Sequence, residues 1–157
     1  MNPGPRGSVQ VGLVAALAVG LVGGLGAFTF RYAEGLSYLS SDPKACVNCH
    51  IMRDEYTSWQ QGAHHARATC VQCHLPHDFV GKWLAKAQNG WNHSAAFTLQ
   101  NFHEPIRIGP KNARILQEAC VTCHAEMVSE LVSGSTTDSD AVKCVHCHRG
   151  VGHGARN

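Results

Sequence analysis

The sequence predicts a mainly α-helical protein with extensive loops, in which one long apolar N-terminal helix precedes a small domain. Three observations lead to this prediction: an uncharged apolar segment near the N-terminus, few stretches with strand-like alternation, and four cysteine–histidine motifs of identical form. The chain has 157 residues, enough for one modest domain and a tail. Its net charge of +2 gives no reason to expect nucleic-acid binding.

The first element is an apolar segment, residues 9–30, that contains no charged residue. As a helix it would span about 33 Å, close to the bilayer core of about 30 Å. Its glycines are tolerated in transmembrane helices, and Gly20 and Gly24 form a GxxxG pair, a weak sign of self-association. A cleaved signal peptide is the alternative, but its apolar region would be shorter. We therefore expect an uncleaved transmembrane anchor after a short N-terminal segment, residues 1–8.

All eight cysteines belong to CxxCH motifs, in which two cysteines three residues apart are followed directly by a histidine. The motifs are Cys46-Cys49-His50, Cys70-Cys73-His74, Cys120-Cys123-His124 and Cys144-Cys147-His148. CxxCH attaches c-type haem: the two thiols reach the two vinyl groups of one porphyrin, and the histidine can ligate the iron. Disulfides, redox pairs or zinc sites would not require a histidine after every second cysteine. The sequence therefore predicts four covalently bound haems c.

The part of the chain after the anchor, residues 31–157, has to hold all four haems. That is roughly 30 residues per haem, too little protein for an ordinary apolar core. We therefore expect a small multihaem cytochrome domain whose core is the haems themselves, wrapped by short helices and loops. Since c-type haem is attached outside the cytoplasmic membrane, residues 1–8 are expected in the cytoplasm. The domain is expected in the periplasm, on a single-pass anchor in the inner membrane.

The domain shows helical periodicity in several places. Asp42-Pro43 predicts a turn or helix start before the first motif. Helices are predicted over residues 52–66, 79–99, 111–119 and 125–131, and a polar loop over residues 133–140. Cys46 and Cys70 are 24 residues apart, as are Cys120 and Cys144, which suggests two two-haem halves, about residues 40–77 and 115–154.

Seven further histidines could supply the second axial ligands of the irons. They are His64, His65, His77, His93, His103, His146 and His153. A histidine only five or six residues from a motif cannot easily reach the far side of its own haem. We therefore expect His64 or His65, and also His153, to ligate neighbouring haems, and His146 to be an exposed residue without this role.

The first motif is followed by a methionine, Met52, two residues after His50. Its thioether can ligate the iron, which raises the reduction potential relative to two histidines. Alternatively, Met52 packs on the haem edge.

Together these residues resemble the NapC/NirT type of membrane-anchored tetrahaem quinol dehydrogenases, and within it the small subunits of cytochrome c nitrite reductases. The resemblance covers essentially the whole chain. It is carried by the anchor and by LSYLSSDPKACVNCHIM, CVQCHLPH, KAQNGWNHSAAFTLQNF and CVHCHRGVGHG. It implies a protein that oxidises menaquinol from the membrane quinol pool. Its electrons would pass to a periplasmic pentahaem catalytic subunit that reduces nitrite to ammonium.

The resemblance also implies roles for individual residues near the first haem. Met52 rather than His50 would be the axial ligand, and Lys86 would be the quinol-site lysine. His93 falls where a relative carries an acidic residue. His93 could block the iron, accept a quinol proton or ligate another haem, and these alternatives stay open.

For the other haems the resemblance implies ligands from both subunits. The haem on Cys70 and Cys73 would use His74 and a lysine of the catalytic subunit. The third and fourth haems, with His124 and His148, would take His64 and His153 as distal ligands. Which distal histidine serves which haem is not decided by the sequence.

Residues 79–99 agree with this interpretation, since they mix tryptophans and other apolar residues with Lys82, Lys86 and His93. Such a segment suits the membrane surface, with contact to lipid, or it merely packs on haems. A lysine there could bind a quinone oxygen, and a histidine could take a proton.

Three other functions stay open. A terminal multihaem reductase would need an open catalytic iron, and the CxxCK motif of nitrite-reducing haems does not occur in the sequence. A passive electron carrier would be reduced by another protein. A quinol dehydrogenase could also serve a nitrate or N-oxide reductase.

Overall fold

The computed structural model describes residues 5–129 and 143–154. Within these residues the regular structure is helical, and no strand is present, as the sequence predicts. The α-helices are α1 (Pro5–Tyr32), α2 (Arg53–Gln61), α3 (Cys70–His74), α4 (Phe79–Leu99), α5 (Pro110–Cys123), α6 (Ala125–Val128) and α7 (Cys144–Cys147). Three 3₁₀ helices, Gly35–Leu39, Pro43–Asn48 and His50–Met52, lie between α1 and α2.

Helix α1 contains the predicted apolar segment and extends beyond it at both ends. Among the described residues, its stretch Gly7–Tyr32 is the one helix long and apolar enough to cross a membrane, with a mean hydropathy of 2.2. The chain divides into two compact units, Met1–Ser37 and Tyr38–Asn157. All four motifs lie in the second unit.

Helix α4 has the predicted bounds of residues 79–99. It begins where the Asp78 side chain accepts a hydrogen bond from the amide of Gly81, at 2.6 Å. It ends at Gln100, whose φ of 54° is left-handed. The predicted turn at Asp42 is also confirmed, since its carboxylate accepts from the amide of Lys44 at 2.8 Å and caps the 3₁₀ helix Pro43–Asn48.

The predicted ends of two helices, α2 and α5, were wrong. Helix α2 ends at Gln61 rather than residue 66, because Gly62 is extended and caps the helix. Helix α5 runs on through the cysteines of the third motif, beyond the predicted residue 119. The end of the helix predicted over residues 125–131, and the polar loop over 133–140, lie outside the described residues.

The packed centre of the second unit is small. Leu75, Ala85 and Ile115 are buried together, and Val71 packs against them. These residues join α3, α4 and α5. The second and third motifs, in α3 and at the end of α5, are thereby brought side by side, although they belong to different predicted halves of the domain.

Candidate haem and quinol sites

Three of the four motifs are helical. The second motif is α3, the cysteines of the third end α5, and those of the fourth form α7. A helix puts residues i, i+3 and i+4 on one face, so both thiols and the histidine are directed to the same side. The amides of His124 and His148 still bond the carbonyls of Cys120 and Cys144, at 3.0 and 2.9 Å.

The first motif has a different backbone. Cys46 lies in the 3₁₀ helix Pro43–Asn48, and Cys49 is extended, with φ −89° and ψ 122°. A new 3₁₀ helix then covers His50–Met52, and the amide of Met52 bonds the carbonyl of Cys49 at 2.9 Å. His50 is thus out of the helical register of the other three motif histidines. It is exposed, whereas Met52 is half-buried.

The chemistry of the eight thiols fits covalent haem attachment, since every cysteine is free and none is in a disulfide. A zinc site would need at least three or four His, Cys, Asp or Glu side chains together. No such cluster of three occurs in the part of the chain that the structure describes.

Two pairs of histidine rings lie at a spacing that fits an iron between them. The ring centres of His64 and His124 are 6.0 Å apart, and those of His74 and His153 are also 6.0 Å apart. Two imidazoles on opposite sides of one metal, each bound at about 2 Å, have ring centres about 6 Å apart. The histidines of the second and third motifs therefore each have a second histidine at a spacing compatible with ligation of one iron.

Both distal histidines are oriented by backbone carbonyl groups. His64 Nδ1 donates to the carbonyl of Val151 at 3.3 Å, and His153 Nδ1 donates to the carbonyl of Glu55 at 3.0 Å. The Glu55 carboxylate also lies 3.4 Å from His153 Nδ1. A carbonyl can only accept, so the hydrogen sits on Nδ1 and Nε2 stays free for a metal. This is the usual support of a metal-binding histidine.

The segments that carry these histidines touch through their backbones. A Cβ added to Gly62 would lie 2.9 Å from the carbonyl oxygen of Gly152 and 3.1 Å from that of Trp59. Glycine at position 62 therefore permits the close approach that brings His64 and His153 into one cluster.

This arrangement differs from what the resemblance implied for the second haem. A lysine of another subunit was expected opposite His74, whereas the structure has His153 there. Burial, and next the neighbouring His153, lower the pKa of His74, which favours the neutral ring that ligation requires. Within the described ranges, neither His50 nor His148 has a ring contact with a second histidine.

The remaining histidines are not arranged as ligands. His65 is exposed and meets the edge of Trp59 at 5.3 Å between ring centres. His77 donates from Nε2 to the carbonyl of Gln72 at 2.8 Å. His103 and His146 are exposed. Of the two adjacent candidates, His64 is the one that faces another motif.

Lys86 is a buried lysine, with 7% of its surface exposed. Its ammonium donates to the backbone carbonyls of Tyr38, at 2.9 Å, and Ser40, at 2.6 Å. It also lies 5.2 Å from the ring centre of Trp83, within cation–π range. Burial, and next the charge of Lys82, lower the pKa of Lys86. Two of its three protons are thus engaged, which leaves one for a ligand.

His93 lies two helical turns after Lys86 on α4, and its Nδ1 is 2.6 Å from the hydroxyl oxygen of Tyr38. Burial lowers the pKa of His93. Burial is also the main cause that raises the pKa of Tyr38 to about 12. Sequence reasoning missed Tyr38. The available signal was its place in LSYLSSDP, directly before the first motif.

This cluster of Tyr38, Lys86 and His93 adjoins the first motif. A hydrogen bond from Cys70 is the main cause that lowers the pKa of Cys46, and the charge of Lys86 contributes to the same shift. The charges of Cys49 and Cys46 likewise act on Tyr38. The candidate quinol-site residues and the first two haem-attachment sites are therefore neighbours.

One side of helix α4 is buried in the domain, and another side carries exposed apolar residues. Ala85 and Lys86 are buried, whereas Phe79, Val80, Leu84 and Trp91 are all more than 60% exposed. Val80, Leu84 and Trp91 follow one another at helical spacing, so they share a face. An exposed apolar stripe of this kind is typical of contact with a membrane or a partner.

Comparison with known proteins gives consistent results over nearly the whole chain. The model of the NapC/NirT cytochrome c family, N-terminal region, matches residues 6–157. The chain is 41% identical to the cytochrome c-type protein NrfH of Wolinella succinogenes over 151 residues, covering 90% of this chain and 83% of NrfH.

A solved structure is also similar. It is a chain in the crystal structure of the cytochrome c nitrite reductase NrfHA complex bound to the HQNO inhibitor, with a TM-score of 0.61 and 26% identity. The match covers 95% of this chain and 89% of that chain. With the family model spanning almost every residue, this chain belongs to the NapC/NirT cytochrome c family.

Proposed function

We propose that this protein is a membrane-anchored tetrahaem cytochrome that oxidises menaquinol and passes the electrons to a pentahaem nitrite reductase. The observation that carries the proposal is the cluster of Tyr38, Lys86 and His93 beside the first haem-attachment motif. The similarity to NrfH, and to a chain of the NrfHA complex, supports the partner. The HQNO inhibitor bound to that complex is consistent with a quinol site in this family.

The four CxxCH motifs would hold the four haems through Cys46, Cys49, Cys70, Cys73, Cys120, Cys123, Cys144 and Cys147. We assign His74 and His153 to the second iron, and His124 and His64 to the third. The 6.0 Å ring spacings and the carbonyl-bound Nδ1 atoms support this assignment.

The first haem would have a weaker ligand set than the second and third. The break in helical register at Cys49, and the half-buried position of Met52, support Met52 rather than His50 as its ligand. A thioether ligand raises the reduction potential of an iron, which favours electron uptake from quinol.

The fourth haem would be the exit to the nitrite reductase. His148 is exposed, and no second histidine meets its ring in the described residues. We assign His153, rather than a lysine of the partner, as the second ligand of the second haem. The lysine that the resemblance places on the partner therefore fits best as the second ligand of the fourth haem, together with His148. That ligand would complete the fourth haem only within the complex.

At the quinol site the chain's own residues bind the head group and handle its protons. The free proton of the Lys86 ammonium donates to a quinol oxygen and orients it. His93 takes a proton, because burial keeps its ring neutral at neutral pH. When bound, the haem irons supply one-electron acceptors for the two electrons.

Contact with the membrane surface is supported by the exposed apolar side of α4. Phe79, Val80, Leu84 and Trp91 would lie in the interfacial region of the membrane, and tryptophan is enriched there. The single long apolar helix α1 would hold the chain in the inner membrane, with the haem domain in the periplasm.

Service to a nitrate or N-oxide reductase is the second candidate, with the same quinol chemistry. The 41% identity to NrfH favours nitrite reductase as the client. Electron transfer from the reduced chain to each of the three reductases would separate these clients.

Quinol oxidation by the detergent-purified full chain is the decisive experiment. We would measure haem reduction by a menaquinol analogue in wild type, Lys86→Met and Lys82→Met. Lys82 is the matched control, since it lies one turn earlier on α4 and its ammonium only approaches Ser41 Oγ, at 3.5 Å. We expect a loss of at least about tenfold for Lys86→Met alone. If quinol does not reduce wild type although dithionite does, the chain is a passive electron carrier.

A further inference from the structure

We propose that Tyr38 is a positioning residue of the quinol site, which holds His93 through Nδ1 so that the ring can take up a proton lost by quinol. This inference rests on the proposed function, because it adds a residue to the same site. Tyr38 would act through His93 rather than touch quinol itself.

Tyr38 contacts both residues that the sequence predicts for quinol chemistry. Its backbone carbonyl accepts from the Lys86 ammonium at 2.9 Å, and its hydroxyl oxygen is 2.6 Å from His93 Nδ1. Lys86 and His93 are seven residues apart, so they lie on the same side of α4. A single residue from the segment before the first motif therefore fixes both groups relative to each other.

The hydroxyl is a partner that suits a changing protonation state. A tyrosine hydroxyl can donate or accept a hydrogen bond. It donates to Nδ1 when the neutral ring of His93 carries its hydrogen on Nε2. It accepts when the hydrogen is on Nδ1, as in the other tautomer and in the imidazolium. The contact therefore persists in all three forms.

The electrostatics of the pair agree with this role. Burial lowers the pKa of His93, so the ring is a neutral base at neutral pH. Burial raises the pKa of Tyr38 to about 12, so the hydroxyl keeps its own proton. The proton accepted by the pair therefore resides on the imidazole and not on a phenolate.

In the proposed step the quinol O–H bond breaks and its proton binds to Nε2 of His93. When bound, the haems would be the oxidant that takes up the two electrons. The imidazolium then donates from Nδ1 to the Tyr38 oxygen. Because His93 is only partly buried and retains contact with solvent, it releases the proton to water and can take the second proton in the same way.

The test is a substitution that removes only the hydroxyl, Tyr38→Phe, in the full-length four-haem protein. The backbone carbonyl that binds Lys86 stays in place. Tyr56→Phe is the matched control, because the Tyr56 ring packs against Trp59 at 5.7 Å and its hydroxyl has no partner in the described residues. Turnover of a menaquinol analogue is measured per haem, so that incomplete loading does not distort the comparison.

We expect Tyr38→Phe to lower kcat by roughly five- to tenfold, about the effect of one lost hydrogen bond, with KM unchanged. Tyr56→Phe should behave as wild type. A loss of haem from Tyr38→Phe, or a change in KM alone, would mean that Tyr38 supports the fold or the binding of quinol, and would overturn the proposal.

A double-mutant cycle with His93→Ala separates the two kinds of role. If Tyr38 acts through His93, Tyr38→Phe has no further effect once His93 is alanine. Independent, multiplicative losses would overturn the inference. Failure of quinol to reduce wild type would instead overturn the proposed function, so the two failures are distinguishable.

Discussion

The distal histidines His64 and His153 and the quinol-site histidine His93 are all held by a hydrogen bond to Nδ1, but the partners differ. His64 and His153 donate to backbone carbonyls, whereas His93 meets the hydroxyl of Tyr38. A carbonyl accepts only, which fixes one tautomer, whereas a hydroxyl permits both tautomers and the cation. On the proposed assignments, the partner atom thus distinguishes a permanent metal ligand from a group that gains and loses protons.

The largest effect is expected from removing a carbonyl-held histidine. His153→Ala should convert the second haem from six-coordinate low spin to high spin, because its iron loses one axial ligand. Optical and electron paramagnetic resonance spectra would report the change in one haem of the four.

The controls for this prediction are the exposed His65→Ala and the hydroxyl-held His93→Ala. Neither should change a spin state. A high-spin signal in His93→Ala would mean that His93 is an iron ligand, and the distinction between the two kinds of histidine would fail.

The next effect concerns the pH dependence of quinol oxidation. A proton acceptor must be neutral, and burial lowers the pKa of His93 below the ordinary histidine value of about 6.5. Turnover should therefore be level at neutral pH and fall as the pH drops through that lowered pKa. His93→Ala should abolish this acidic inflection, while His65→Ala should retain it. Initial rates between pH 5 and about 8 would decide.

A smaller effect is expected where the two distal-histidine segments touch. Gly62→Ala would bring a methyl group within 2.9 Å of the Gly152 carbonyl oxygen, so the backbones must separate. We expect a loss of about 1–3 kcal/mol in the free energy of unfolding, measured by denaturant unfolding with the haems attached. Gly109→Ala is the control, because its Cβ would meet no atom within 4 Å. Equal stability of both variants would contradict the close approach.

The smallest effect is expected at the carboxylate beside His153. Glu55→Gln keeps the backbone carbonyl that accepts from His153 Nδ1 and removes only the negative charge 3.4 Å away. The second haem should stay low spin, with a slightly higher reduction potential because its ligand is less basic. Potentiometric titration would measure this, with the neighbouring Asp54→Asn as control. A spin change in Glu55→Gln would mean that the carboxylate, not the carbonyl, holds the histidine.

Local signals in the sequence predicted most of the fold. The apolar run predicted helix α1, and the periodicity of residues 79–99 predicted α4 with its bounds, since Asp78 caps one end. Helix α2 was predicted too long, although Gly62, which caps its observed end, is a local helix-stop signal. The close approach of Gly62 to the carbonyl of Gly152, far along the chain, is a long-range contact. Such a contact leaves no local pattern.

The features of the candidate sites likewise fall into those that a local sequence pattern indicates and those that depend on contacts between distant parts of the chain. Each CxxCH motif is a local signal, whereas the roles of Lys86 and His93 are implied by the resemblance to the family. The pairing of His64 with His124 and of His74 with His153 is long-range, as is the contact between Tyr38 and His93. The assignment of His153 to the second haem, in place of the expected lysine, depends on such a contact, because the sequence does not reveal that the C-terminal turn returns to α3.

The position of His153 in the chain has a consequence for assembly. This histidine comes after all four attachment motifs, yet it faces the histidine of the second one. On the proposed assignment, the haem attached to Cys70 and Cys73 gains its second ligand only after the chain has been synthesised and exported as far as His153. Covalent attachment can follow the order of synthesis, whereas completion of the iron's coordination waits for His153 to arrive.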